Sequence, residues 1–358
     1  MTHHPFHLRK TAAPAAGRLF VAVLLLAALL VAARIYPASE RKPMVVAVGD
    51  ITVTVLDMDR AMAFYRDVLT FEPDFDMTLR GDPLDSLIGL PDAEVRLARM
   101  RLNREAVVLA QFIEPRGRPF PRDDRSQDRS FQHVAVIVSD MDAAYSRLRK
   151  AGVVHVSPAP QRLPDWNRAA GGIRAFYFRD PESHTLEVLQ FPRGKGDPRW
   201  SEAGDRLFLG IDHTAIVVDD SERSLRFYHN ALGLEVVGES ENYGPEQERL
   251  NHVPGAHLRI TTLRAAAGPG VELLEYLAPG DGRDYPGEVR VNDAVHWQTT
   301  MIVGDVHAAL TRIRESGGTI VSPRAVRLPH WGTAAAQAAI VRDPDGHALL
   351  LLELPPKE

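Results

Sequence analysis

The chain has 358 residues, 45% of them hydrophobic and 25% charged, the balance of a globular protein with room for about two domains. A formal net charge of -5 and a pI near 6.3 leave no basic footprint for nucleic acid. Cysteine is absent, which excludes disulfides, thiolate ligands and a cysteine nucleophile, so any metal has to be held by histidine and carboxylates.

The first element is a leader. Arg9, Lys10 and Arg18 precede an uncharged apolar run at 19–33, which has the basic and apolar regions of an export signal. Val31, Ala32 and Ala33 offer a cleavage point, whereas continuation through Ile35 and Tyr36 makes a short membrane anchor. Segment 1–40 is therefore expected to be a signal peptide or one N-terminal hydrophobic transmembrane helix. The body is expected outside the cytoplasm, periplasmic or otherwise exported, and tied to the membrane only if the leader stays uncleaved.

Beyond the leader one pattern occurs four times: an apolar strand ending in Val-x-Asp, followed by a segment of helical period. The aspartates are Asp57, Asp140, Asp220 and Asp305, each placed to cap the helix after it, which makes them scaffold rather than catalysts. Ala61, Phe64, Val68 and Leu69 mark the apolar face of the first helix, and Leu225, Tyr228 and Leu232 that of the third. Gly152 and Gly317 with Gly318 stop the second and fourth. Strand-like runs such as 175–178 and 349–352 close the modules, and each module reads β-α-β-β-β. Polar, Pro- and Gly-rich stretches at 115–130, 192–206 and 278–292 read as linkers.

The modules fall into duplicated halves. Val156, Ser157 and Pro158 recur as Val321, Ser322 and Pro323; Arg162, Leu163, Pro164 and Trp166 recur as Arg327, Leu328, Pro329 and Trp331. Arg179, Asp180, Pro181 and His184 recur as Arg342, Asp343, Pro344 and His347, and Phe64-Tyr65 as Phe227-Tyr228. The expected fold is α+β: a first domain at 45–192 with modules 45–115 and 130–191, and a second at 207–355 with modules 207–279 and 293–355.

Asp212-His213 with Phe227-Tyr228, the run Val271, Glu272, Leu273, Leu274, Glu275, Tyr276, and the turn Asp343, Pro344, Asp345, Gly346 carry a resemblance to the vicinal oxygen chelate superfamily, of glyoxalase I, methylmalonyl-CoA epimerase, extradiol dioxygenases and bleomycin-resistance proteins. It covers 45–355. The resemblance implies two glyoxalase-like domains whose modules pair into cups, with a divalent metal (zinc, nickel, iron or manganese) held by residues of each module's first and last strands. His213 lies seven residues before Asp220, and the same step back from the other capping aspartates gives Asp50, His133 and Gln298. On the last strands Glu187 and Glu272 correspond to Leu350 and Val108. Ligand-type residues are thus concentrated in modules two and three.

That distribution bears on pairing, which in the family runs either one with two and three with four, or one with four and two with three. The second arrangement would gather His133, Glu187, His213 and Glu272 into one metal site and leave the other cup vestigial; the first would split them into two incomplete sites. A slip of three residues would substitute Gln111 for Val108, but it reverses which strand face looks inward.

The resemblance implies a small substrate with vicinal oxygens and a metal-dependent lyase or isomerase working through an enediolate-type intermediate, with Glu187 or Glu272 as the catalytic base. Two alternatives stay open: an extradiol-type ring-cleavage dioxygenase, to which His133, His213 and Glu187 would supply iron ligands, and a metal-free small-molecule binding protein of the bleomycin-resistance kind. Monomer and homodimer are both compatible with paired cups. His184, His296, His330 and His347 lie near turns or off the ligand register and read as surface or supporting residues; Trp166 and Trp331 read as packing or lids, and Arg162 and Arg327 as salt-bridge partners.

Overall fold

The computed structural model describes residues 43–202, 204–328 and 336–355. The leader at 1–40, and with it the signal and anchor expectations, lies outside the described residues, as do Pro329, His330 and Trp331. Among the described residues no helix is long and apolar enough to cross a membrane.

Module one runs β1 (Val45–Thr54), α1 (Met58–Asp67), β2 (Glu72–Arg80), α2 (Asp82–Ile88), β3 (Glu94–Leu102) and β4 (Glu105–Glu114). Module two runs β5 (Gln132–Val138), α3 (Met141–Lys150), β6 (Val154–His155), β7 (Gln161–Arg162), β8 (Arg174–Arg179) and β9 (Thr185–Gln190). Module three runs β10 (Phe208–Val218), α4 (Ser221–Leu225, continued by a π-helical turn at Arg226–Ala231), β11 (Glu235–Tyr243), α5 (Pro245–Asn251), β12 (His257–Arg264) and β13 (Gly270–Ala278). Module four runs β14 (Trp297–Val303), α6 (Val306–Glu315), β15 (Thr319–Ile320), β16 (Val326–Leu328), β17 (Ala336–Arg342) and β18 (Ala348–Glu353).

The four repeated aspartates all cap helices. Asp57 accepts from the Arg60 amide, Asp140 from Asp142 and Ala143, Asp220 from Glu222 and Arg223, and Asp305 from Ala308. Each cap satisfies otherwise orphaned amides and contributes about 1 kcal/mol. The plain β-α-β-β-β reading needs amendment in two places. Modules one and three carry the extra helices α2 and α5, each entered through a glycine at positive φ (Gly81 at 101°, Gly244 at 92°) with proline in the first turn. Seven residues are too few to show a helical period. Modules two and four instead divide the equivalent stretch into short strands.

The modules pair across the duplicated halves. One sheet has the strand order β11-β12-β13-β10-β5-β9-β8-β6, with β7 on β8, and so joins module three to module two; the other has β15-β17-β18-β14-β1-β4-β3-β2, with β16 on β17, and joins four to one. At the seam of each sheet two first strands run antiparallel, β10 with β5 and β1 with β14. Alternate residues then point to opposite faces. On β5, Val134, Val136 and Val138 enter a core shared by modules one and two, with Met58, Tyr65, Met141 and Phe176, while His133 and Ala135 face the other way.

Duplicated polar braces tie the modules together. Tyr65 donates to Asp180 (3.3 Å), whose carboxylate bonds His184 (3.0 Å), whose Nε2 meets the Ala294 carbonyl (3.0 Å). Tyr228, Asp343 and His347 repeat the chain onto the Arg129 carbonyl (3.0, 2.9 and 2.8 Å). His184 and His347 are therefore fully buried cross-links rather than surface residues. Their short polar turns signal exposure in the sequence, and only the partner module buries them. The linkers brace each other too: Arg283 chelates Asp128, and Arg118 chelates Asp293.

Two guanidiniums, Arg283 and Arg125, overcome the upward push of burial and hold the Asp128 carboxyl down to about 2, against 3.8 ordinarily. A depressed carboxyl stabilises the fold above its unfolded value and stops doing so as pH falls through the folded one. Wild-type chain should exceed Asp128→Asn in stability at pH 6, and the gap should close between pH 4 and pH 2; denaturant titrations at stepped pH would show this, and a gap constant with pH would assign the loss to packing.

Candidate metal centre

Strand register places the four sequence-selected residues on one sheet face. Across the seam His213 pairs with Ala135 and Ala215 with His133, so the two histidines are diagonal neighbours. In the parallel pairs Ala135 lies beside Glu187 and Ala215 beside Glu272. The result is a chequerboard: Gly270, His213, Ala135 and Glu187 in one row, Glu272, Ala215, His133 and Thr185 in the next. Small residues separate the functional ones, and the long side chains converge over them. A Cβ at Gly270 would lie 3.3 Å from that of His213, close enough to disturb its aim.

His133 Nε2 lies 3.3 Å from Glu187 Oε2, and His213 Nε2 lies 3.6 Å from the same oxygen and 3.4 Å from Glu272 Oε2. His133, Glu187 and His213 are buried, and their donor atoms fall within 4.8 Å of one another, a group that could hold a metal ion. Two observations test the fit. Donors bound about 2.0–2.2 Å from one ion stand roughly 3–3.6 Å apart, and the histidine–carboxylate contacts of 3.3, 3.4 and 3.6 Å have that spacing. Neither ring nitrogen of His133 makes an aligned hydrogen bond, although both are buried, and an unpartnered buried imidazole is costly unless something else takes its lone pair. The residues fit a divalent cation. Glu272 stands apart from the trio: its side chain keeps 19% exposure, and its second oxygen accepts from Thr262 Oγ1 at 2.8 Å.

Electrostatics binds the cluster. Burial raises the cost of ionising Glu187, but the imidazoles of His133 and His213 against it bring its carboxyl below the ordinary range. Burial disfavours the charged imidazole of His213, yet Glu272, Asp212 and Glu187 push it well above the ordinary value. Tyr177, beside Glu187 in register and 4.8 Å from the His133 ring, is held protonated by its burial.

Asp212 supports the site although it was singled out in sequence only as a family marker. It is the unpaired residue of a β-bulge between Ile211 and His213, and the bulge lets adjacent side chains meet. Its Oδ2 bonds His213 Nδ1 at 3.0 Å, while Oδ1 accepts from Arg264 (2.9 Å) and Trp200 (3.3 Å). Against the opposing effect of burial, these partners keep Asp212 ionised far below its ordinary range. The arrangement fixes Nδ1–H on His213 and turns Nε2 toward the carboxylates. Arg264 and Trp200 gave no local signal, since one ends a strand and the other lies in the linker at 192–206.

Glu187, His213 and Glu272 line a cup of about 690 Å³, with Tyr177, Arg264 and Gln247 around them, and His133 lies against Glu187. Trp166, half-exposed, packs with its ring tilted 31° and centred 4.4 Å from that of Tyr243 of module three, and Arg162 pairs with Asp165 at 2.7 Å. The other cup carries Asp50, Val108, Gln298 and Leu350 at the equivalent register positions, Thr52 pairing with both Val108 and Gln298. Gln111 takes no part in it and donates to the Leu56 carbonyl.

The model of the Glyoxalase/Bleomycin resistance protein/Dioxygenase superfamily matches residues 47–188 and again 210–351. A 2-epi-5-epi-valiolone epimerase from an Actinomyces species is 31% identical over 157 residues, 42% of this chain and 83% of that protein. Among solved structures, glyoxalase I from Zea mays aligns with a TM-score of 0.53 at 16% identity, over 87% of this chain and 92% of the other. A Bacillus subtilis protein described as a putative dioxygenase aligns with a TM-score of 0.52 at 15% identity, over 88% and 87%. At such identities the two structures share the fold.

Removing an outer carboxylate that orients a histidine ligand costs about 10–100-fold in metal affinity. Asp212→Asn should weaken binding of zinc or nickel by that range in a competition titration against a chromophoric chelator. Unchanged affinity would separate Asp212 from the site.

Proposed function

We propose a metal-dependent isomerase or lyase that moves a proton next to a carbonyl, on the premise that the chain belongs to the Glyoxalase/Bleomycin resistance protein/Dioxygenase superfamily. The observation that carries the reading is the convergence of His133, Glu187 and His213 with Glu272 beside them, three of the four lining one cup. His133, Glu187 and His213 would hold the ion, with Glu272 within reach as a fourth ligand or base. A divalent metal in this place supplies Lewis-acid polarisation of a substrate carbonyl, which acidifies the neighbouring C–H.

The chain's own residues do the rest. Glu272 takes the proton: it is the more exposed carboxylate, one oxygen is steadied by Thr262, and the other faces the cluster. Glu187, enclosed by both histidines, stays in place as a ligand. Asp212 and Arg264 keep His213 in the required tautomer. Delivery of a solvent proton to the opposite face of the carbon, with Glu272 releasing its own proton to water, gives epimerisation, and return from Glu272 to a neighbouring atom gives isomerisation. The epimerase relative supports the first outcome and points to small polyhydroxylated ketones.

A second reading has its own observation. Two histidines and one carboxylate with open positions are the ligand set of non-haem iron oxygenases, and His133, His213 and Glu187 form such a trio. The proximity of Glu272 favours proton transfer over oxygen chemistry, because a second carboxylate occupies space that oxygen and a catechol would need. The basic and apolar leader supports an exported protein; fractionation of expressing cells would place the chain, and recovery from the cytoplasm would remove that reading.

Elemental analysis should find about one transition metal per chain, lost in both His133→Ala and His213→Ala. Incubated in D2O with 2-epi-5-epi-valiolone or dihydroxyacetone, the loaded protein should incorporate deuterium beside the carbonyl. Glu272→Gln should keep its metal and slow exchange by about 10²–10⁴-fold, whereas Glu187→Gln should lose the metal. Oxygen uptake with catechols by the iron-loaded chain, without exchange, would transfer the assignment to the second reading.

A further inference from the structure

The stretch of β10 that leads into His213 is irregular twice. Leu209 and Asp212 are both unpaired against β5, and pairing with β13 begins only at His213. Backbone groups released by a bulge need partners elsewhere, because a buried amide or carbonyl left alone is costly. Here they come from module one. At the tip of the β3–β4 hairpin Asn103 takes φ 60°, a left-handed conformation that asparagine tolerates, and its Nδ2 donates to the Leu209 carbonyl at 3.2 Å. Glu105, the first residue of β4, accepts from the Ile211 amide through Oε2 at 3.3 Å.

Glu105 is buried, where a carboxylate is expensive unless it is paired. Arg199 of the linker supplies the pair, with Nη1 2.6 Å from Oε1. The same guanidinium lies 3.8 Å over the centre of the Trp200 ring, and Trp200 Nε1 donates to Asp212 at 3.3 Å. Glu105 therefore reaches Asp212 by two routes, through the backbone of the bulge and through Arg199 and Trp200. Gly210 makes room for both: a Cβ there would lie 2.7 Å from Glu105 Oε2 and 2.9 Å from the Trp200 ring, closer than such contacts allow. Module one's own hairpin does not call for this side chain, since Leu102 and Glu105 already pair through their backbones, and Glu105 lines neither cup.

We propose that Glu105 is a positioning residue of the metal centre: from module one it fixes the bulged stretch of β10 and, with Arg199 and Trp200, holds the Asp212 carboxylate against His213 Nδ1. The proposal rests on the reading of His213 as a metal ligand. The centre formed by modules two and three is then completed by a third module, which touches neither the ion's ligands nor the substrate.

The test reads the zinc affinity of the full chain in competition with a chromophoric chelator, and the His213 Nδ1–H proton in nitrogen-15 histidine-labelled chain. Glu105→Ala should weaken zinc binding about tenfold, the lower end of the range for groups that orient a ligand from outside. Glu105→Gln, whose amide oxygen still accepts from Ile211, should recover part of the loss, and Gly210→Ala, which keeps Glu105 itself, should weaken binding in the same direction. Because both routes end at Asp212, adding Glu105→Ala to Asp212→Ala should weaken binding by no more than about twofold further. In the unaltered chain the Nδ1–H held by Asp212 should give a downfield, exchange-protected resonance, absent from His213→Gln and lost to exchange in Glu105→Ala. Unchanged zinc affinity in Glu105→Ala and Gly210→Ala, a full further tenfold loss in the double variant, or a resonance still protected without Glu105 would each overturn the proposal. An unaltered chain that binds no zinc would remove the metal reading instead, and the resonance, which requires no metal, would still decide the role of Glu105.

Discussion

Two imidazoles and a carboxylate buried against one another on a single sheet face set the conditions that the surrounding structure has to meet. Each is expensive to bury alone. Together they compensate one another, but only when three strands from two modules lie in the correct register. A slip of one residue at the β5–β10 seam would send His133 to the opposite face, among the valines of the shared core. The valines that alternate with the site residues therefore do more than fill space: they give each strand an apolar face with only one acceptable orientation, and the polar cluster takes the other.

Duplication supplies the means of holding that register. Modules two and three meet at the seam although they come from different halves of the chain, and so do one and four. The polar chains from Tyr65 to Ala294 and from Tyr228 to Arg129 link modules in pairs, and the arginine–aspartate clamps join one linker to the other. These braces are nearly symmetric. The two cups are not: one gathers histidines and glutamates, and the other replaces them with Gln298, Leu350 and Val108 and neutralises Asp50 with Arg99. One scaffold thus holds a polar, open cup and an apolar, smaller one, so their chemistry can diverge without changing the braces.

Within the polar cup the carboxylates differ by environment. Glu187 is enclosed by both histidines, whereas Glu272 is partly exposed and steadied by one hydroxyl. A ligand and a mobile base need those two kinds of surroundings. Asp212 owes its role to a bulge, a backbone irregularity that brings neighbouring side chains to the same place, and through Arg264 and Trp200 it connects the site to β12 and to the linker at 192–206.

The order of apolar strands and amphipathic helices, the four capping aspartates and the duplicated motifs are local or periodic properties, and so the module count and the α+β class were legible in the sequence. Counting back from the caps also aligned His133, His213, Asp50 and Gln298, because the spacing along a strand is fixed by its geometry. Helices α2 and α5 escaped notice because one or two turns leave no period. His184 and His347 stayed between surface and supporting roles in the sequence because their burial depends on carbonyls 110 and 218 residues away. Choosing between the two module pairings, and so between one gathered cluster and two divided ones, lay beyond any local pattern. Strand edges of different modules present similar backbone groups, and which edges join is decided by packing over the whole chain.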